Sequence, residues 1–207
     1  MAARKGVLLV ISAPSGTGKS TLVHELLRRM EDVEFSVSFT TRKMREGEAD
    51  GLDYHFIDRG RFDAMIGSGE FLEWADVFRE RYGTGRSVSL LKLASGRDLI
   101  LDIDIQGGRQ VRASGIDAVS VFVLPPSFPT LKSRLLSRGS DSDEQVATRL
   151  AMARGEADEV KYYDYVVVND DLESAVDQLA TILSAERLRV SRRGPVTEDI
   201  LSTFPAE

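Results

Sequence analysis

The chain has no cysteine and only two histidines in 207 residues. Disulfides and thiolate metal sites are thereby excluded. His24 and His55 have no second histidine or cysteine near them in sequence, so a zinc site is not expected. Long hydrophobic runs are missing too: the longest are strand-sized, too short to cross a membrane. The start, Met1-Ala2-Ala3-Arg4-Lys5, lacks the apolar core of a secretory signal. Together these absences predict a cytoplasmic protein with no membrane partner. Repeats, heptads and low-complexity tracts are also absent. Positive charge is in deficit, with a formal net charge of −6. That argues against nucleic acid as a partner, because any polyanion would have to be held by local basic clusters rather than by the field of the whole chain. The length suits one compact domain with a real core, to which insertions can add small mobile lobes.

What is present centres on Ala13-Pro14-Ser15-Gly16-Thr17-Gly18-Lys19-Ser20-Thr21. Before it, Val7 to Ile11 is an unbroken β-branched-rich run of the kind a strand buried on both faces shows. After it, Val23, Leu26, Leu27 and Met30 recur at helical spacing. Pro14, Gly16 and Gly18 end the strand and let backbone N–H groups turn inward, toward the positive end of the following helix. This is the phosphate-binding P-loop pattern, with Ala13 in the first glycine position. The pattern assigns Lys19 to the β- and γ-phosphates of ATP and the Ser20 hydroxyl to Mg²⁺. A glycine-rich turn carrying a surface lysine is the plainer alternative, and the flanking strand and helix count against it.

Further on, Phe35 to Phe39 has a strand pattern that passes into a basic turn, with Arg42, Lys43 and Arg45 within four residues. Guanidinium forks match phosphate oxygens, although a solvated turn reads equally well here. A short strand near Tyr54, a short helix over 61–68, and the segments Phe71-Leu72-Glu73-Trp74 and Tyr82-Gly83-Thr84 follow. Ser38, Thr40-Thr41-Arg42, Arg45, Gly47-Glu48, Tyr54, Glu73, Tyr82 and Thr84 stand in the order and spacing of the nucleotide lobe of guanylate kinases. The chain resembles the bacterial type of that family over nearly its whole length.

That resemblance implies GMP as acceptor. Guanine offers N1–H and N2–H₂ as adjacent donors and O6 and N7 as acceptors. A carboxylate at Glu73 could take both donors, and the hydroxyls of Ser38 and Thr84 could serve the remaining edge. Adenine would face the carboxylate with an acceptor, a buried mismatch costing on the order of a few kcal/mol. In the family the acceptor phosphate is held by the residues matching Arg42, Arg45, Tyr54 and Tyr82. The family's prolines flanking the second arginine are replaced here by Met44 and Glu46.

The run Asp98 to Gln106 supplies a second strand ending in aspartates. Two-residue alternation places Asp102 and Asp104 on one side, facing one cavity, while capping of the next helix is the structural alternative. By resemblance Asp102 lies toward Mg²⁺, directly or through water, and Asp104 toward the guanine amino group. Arg134, Arg138 and Arg149 flank a polar loop, matching the family's lid, which brings positive charge to the transferring phosphoryl group. With Lys19 and Arg42 they form the expected catalytic set. Asn169, after the strand 164–168, matches the family's asparagine beside adenine. Asp170 with Glu173 has capping spacing, and Gly194-Pro195 is expected to stop the helix that bears Arg187, Arg189, Arg192 and Arg193.

The expected fold is α/β: a P-loop nucleoside-monophosphate kinase with a central parallel sheet flanked by helices, an inserted mixed α/β acceptor-binding lobe and a helical lid. Its domain is expected over 4–190, with the core at 4–36, 93–125 and 156–190, the GMP lobe at 37–92 and the lid at 126–155. Residues 191–207 form a tail that is either flexible or part of a homo-oligomer contact. The expected reaction is transfer of the γ-phosphoryl group of MgATP to GMP, and to dGMP. Two other readings stay open: a guanylate-kinase-like scaffold that binds phosphorylated peptides, and a kinase of a phosphorylated sugar.

Overall fold

A computed structural model describes residues 4–77, 79–137 and 143–205. The elements, in chain order, begin with β1 (Leu8–Ser12), α1 (Lys19–Arg29), β2 (Val33–Phe35), β3 (Phe39–Thr40), β4 (His55–Phe56) and α2 (Arg59–Gly67). They continue with β5 (Phe71–Val77), β6 (Glu80–Gly85), α3 (Arg86–Ala94), β7 (Asp98–Asp102), α4 (Ile105–Ala113) and β8 (Ala118–Leu124). The chain closes with α5 (Phe128–Ser137), α6 (Asp143–Ala157), a 3-10 turn at Asp158–Tyr162, β9 (Tyr165–Val168), α7 (Leu172–Arg187) and α8 (Val190–Leu201).

Five strands form a parallel sheet in the order β2-β7-β1-β8-β9. β1 is central and buried on both faces, as its unbroken apolar run requires. The run from Val7 to Ile11 divides by alternation. Val7, Leu9 and Ile11 pack with Leu22, Val23 and Leu26 of α1 and with Val176, Leu179 and Leu183 of α7. Leu8 and Val10 pack with Leu93 of α3 and Val111 of α4 on the other face. Helices therefore cover both sides.

Between β2 and α3 the chain leaves this sheet and builds a second, four-stranded one in the order β4-β3-β6-β5. It is mixed, since β3 and β4 are parallel while β6 runs antiparallel to β3 and β5. Phe62, Met65 and Phe71 give it a small core of its own. This is the mixed α/β insertion expected of the fold.

Three expectations are corrected. β7 ends at Asp102, so Asp104 is not part of the strand; it is the N-cap of α4 and accepts the Gly107 N–H at 2.8 Å. Helix α7 is capped by Asp171, which accepts the Ser174 N–H at 2.9 Å, one residue after the expected Asp170. Gly194-Pro195 does not stop a helix but lies inside α8. That helix survives its proline because it is anchored: Arg192 is 0 % exposed and reaches the Gly6 carbonyl and Asp117, while Lys5 N–H donates to the Arg192 carbonyl. Arg187 and Arg192 thus serve tertiary ion pairs rather than one helix terminus.

Candidate active site

Strand β1 empties into the loop Ala13 to Gly18, and α1 begins at Lys19. Gly16 takes a φ of +89°, and a Cβ there would lie 2.6 Å from Leu135 Cδ2. Only glycine meets both conditions. A Cβ on Gly18 would lie 2.8 Å from Asn169 Nδ2, so the loop is closed down upon that side chain. Thr17 is buried and donates its hydroxyl to the Pro14 carbonyl at 2.7 Å, which fastens the turn to itself.

The Lys19 ammonium reaches Asp102 Oδ1 at 2.5 Å and the Ile103 carbonyl at 2.7 Å, and Ser20 Oγ donates to Asp102 Oδ2 at 3.3 Å. The loop is thereby joined to the end of β7. Asp102, Ile103 and Asp104 also line a cavity with Ser38, Tyr54, Glu73 and Tyr82. Asp102 and Asp104 face one cavity as expected, one from a strand end and the other from a helix cap. The cap places Asp104 there without the alternation that predicted it.

Glu73 is 4 % exposed and accepts the Thr84 hydroxyl at 2.6 Å across β5 and β6. Burial, aided by the nearby Asp104 charge, pushes its carboxyl up to about 7, although the Thr84 hydrogen bond works against the rise. The other carboxylate oxygen lies against Gly107, where a Cβ would be 2.6 Å from Oε2.

In the wall of this cavity Tyr54 and Tyr82 meet edge to face at 5.8 Å, and the Arg42 guanidinium lies 5.3 Å from the Tyr54 ring. Arg42 is gripped by Glu48 through two bonds of 2.9 and 2.7 Å, and Glu48 also accepts the Arg45 N–H at 2.7 Å. The Arg42 guanidinium holds the Glu48 carboxyl at about 2. Glu48 thus ties the two arginine positions together in a turn that lacks the family's prolines. The Arg45 side chain is exposed.

On the opposite side of the loop, Gly16, Gly18, Thr21, Arg134 and Asn169 line a second cavity. Asn169 is buried and donates to the Thr17 carbonyl at 2.8 Å, and Arg134 donates to the Thr17 and Asn169 carbonyls at 3.2 and 3.0 Å. Arg134 here braces the loop. Arg149 on α6 donates to Ser15 Oγ at 3.2 Å, and Glu156, two turns further on, accepts the Ser15 N–H at 3.3 Å. Burial raises the Glu156 carboxyl. Arg138, with the rest of 138–142, lies outside the described residues.

Sequence reasoning assigned no role to Glu48 or Glu156. Glu156 could have been found from its seven-residue spacing after Arg149, which puts both on one helical face.

The family model described as guanylate kinase matches residues 5–186. A protein named guanylate kinase from Rhodopseudomonas palustris is 49% identical over 92% of this chain and 87% of its own length. Another from Aromatoleum aromaticum is 50% identical over 91% of this chain and 92% of its own. The crystal structure of guanylate kinase from Anaplasma phagocytophilum superposes with a TM-score of 0.78 at 36% identity, covering 99% of this chain and 98% of that one. With a P-loop joined to a buried carboxylate pocket, and with relatives this similar along almost all of its length, the chain belongs to the guanylate kinase family.

Proposed function

We propose that the chain performs its family's reaction, transfer of the γ-phosphoryl group of ATP to GMP to give ADP and GDP, with the two cavities taking one nucleotide each. The observation that carries this reading is the Lys19–Asp102 contact, which joins the phosphate loop to the cavity holding Glu73. Donor and acceptor phosphates would meet there.

The Glu73 carboxylate accepts guanine N1–H and N2–H₂, and Ser38, Thr84 and Asp104 border the rest of the base. Arg42, Arg45, Tyr54 and Tyr82 take the GMP phosphate. The backbone of Pro14 to Thr21, with Ala13 in the first position, cradles the ATP phosphates, and Asn169 borders adenine. The acceptor is a phosphate oxygen already anionic near neutral pH, so no side chain has to remove a proton from it. Lys19, Arg42, Arg134, Arg138 and Arg149 act by orientation and charge neutralisation, and closure of α6 on Ser15 excludes water.

Ser20 Oγ and Asp102 Oδ2 stand side by side as hard oxygen donors, a pair that suits Mg²⁺ completed by phosphates and water. When bound, Mg²⁺ would neutralise the charge of the ATP phosphates. Use of dGMP follows if no residue of the acceptor cavity demands the ribose 2′-hydroxyl.

The test is ADP release from MgATP with GMP, dGMP, AMP, UMP and a ribose bisphosphate offered in turn. Turnover with guanine nucleotides alone is expected. Turnover with the bisphosphate alone would favour the sugar-kinase reading. Silence with every acceptor, alongside binding of a phosphopeptide, would favour the scaffold. Lys19→Ala is expected to abolish turnover while the far-UV spectrum stays unchanged, and an unchanged rate would sink the role given to the P-loop.

A further inference from the structure

β5 is one of the two edge strands of the four-stranded sheet. It carries Glu73, and its pairing with β6 shifts register between Phe71 and Glu73. Such irregularities re-aim a side chain but leave an edge strand less firmly fixed. Trp74 follows Glu73, pairs with Gly83, and its N–H and C=O point away from β6. Both are taken by one side chain from another element. Gln110 Oε1 accepts the Trp74 N–H at 3.1 Å, and Gln110 Nε2 donates to the Trp74 carbonyl at 2.6 Å. The amide stands in for the strand that would otherwise lie there, since a primary amide offers the donor and acceptor of one ladder pair.

Gln110 sits on α4, three residues after Gly107, so the two share a helical face. Gly107 is the residue packed against Glu73 Oε2. The same helix begins at Asp104, which borders the cavity. One face of α4 therefore both limits where the Glu73 carboxylate can go and holds the backbone that carries it.

We propose that Gln110 is a positioning residue for base recognition: its two bonds to Trp74 fix β5 so that the Glu73 carboxylate meets the guanine N1–H and N2–H₂ together. This rests on the reading of Glu73 given above. Gln110 touches no nucleotide and acts through Trp74 and Glu73. Its loss leaves the P-loop unaltered, so the defect belongs to the acceptor base alone.

The test compares Gln110→Met, close in shape but without the amide, with Glu73→Gln and the unchanged chain. Each is assayed with GMP and with IMP, which lacks the N2 amino group. Misplacement of a recognising group by a fraction of an ångström to an ångström is expected to raise KM for GMP on the order of tenfold. KM for IMP moves less, so the preference for GMP shrinks, while KM for ATP stays put. A readout without turnover is available because Trp74 is the single tryptophan: titrating GMP against its fluorescence, with no ATP, gives the same weakening in binding.

A normal GMP-over-IMP ratio in Gln110→Met, where Glu73→Gln has collapsed that ratio, overturns the proposal. Equal losses for GMP, IMP and ATP would show that the amide merely holds the fold, and would also overturn it. If Glu73→Gln keeps the ratio, it is the reading of Glu73 that fails. Gln110→Asn, which keeps an amide on a shorter arm, tests reach: selectivity between that of Gln110→Met and the unchanged chain supports the geometry. Selectivity no better than that of Gln110→Met in a chain with the normal melting temperature counts against it.

Discussion

At the scale of single residues, Glu73 sets stability against recognition. Its carboxyl lies at about 7 in the fold against an ordinary 4.5, so the folded chain holds a proton that the unfolded chain gives up at lower pH. Folding stability therefore falls as pH rises from about 4.5 to about 7 and levels off above. Ionising this group in the fold costs on the order of 3 kcal/mol. Glu73→Gln should remove that cost, and thermal melts at pH 8 are expected to show the variant more stable, although it binds GMP less well. A variant that melts lower at pH 8 would refute the burial argument. For the acceptor the sign is opposite: guanine donates, so it needs the ionised carboxylate. KM for GMP should rise as pH falls below about 7, by up to roughly tenfold per unit. The GMP phosphate also titrates near 6, and Glu73→Gln separates the two effects because only the phosphate contribution survives in it.

At the scale of elements, what was legible in the sequence was what local chemistry decides. The passage from β1 through Gly16 to α1 could be read because a buried strand, a required glycine and a helical face are all written within about two dozen residues. Asp104 could not be placed on its cap, since alternation along 98–106 does not say where the strand stops. The course of α8 across Pro195 depends on Arg192 being buried by distant partners, which no local pattern encodes. The Trp74–Gln110 clamp spans 36 positions and leaves no periodic trace. The loop–helix unit makes a prediction of its own. Gly16 and Gly47 both have positive φ, but a Cβ at Gly47 meets nothing within 4 Å, whereas at Gly16 it meets Leu135 of α5. Gly47→Ala should cost about 1 kcal/mol from backbone strain alone. Gly16→Ala adds displacement of α5 and the loop, so it is expected to lose ATP binding along with a larger drop in melting temperature. Equal effects of the two changes would show that the Leu135 contact carries no weight.

At the scale of the whole molecule, the parallel sheet has two unlike ends. The carboxyl ends of β1 and β7 deliver Lys19 and Asp102 to the chemistry, as open parallel sheets generally do. The amino ends are closed by ionic staples. Asp98, at the start of β7 and 0 % exposed, accepts from Arg4 at 2.6 Å, Arg187 at 2.6 Å and the Val7 N–H at 2.7 Å. It thereby gathers the N-terminus, β1 and the end of α7 at one point. Removing the buried Asp98 carboxylate leaves the Arg4 and Arg187 guanidinium groups without it, a loss of about 3–5 kcal/mol, which for a chain of this size lowers the melting temperature by roughly 10 °C. Because the staple and the phosphate loop lie at opposite ends of the same strands, Asp98→Asn should melt early yet keep its kcat and both KM values when assayed well below its transition. Proportional loss of turnover at low temperature would mean that strain at one end of the sheet reaches the other, and the two ends would then have to be treated as one unit. Retained turnover with a lowered melting temperature would establish that this fold keeps its stability and its chemistry on separate residues, with Glu73 the exception because recognition of guanine requires a buried charge.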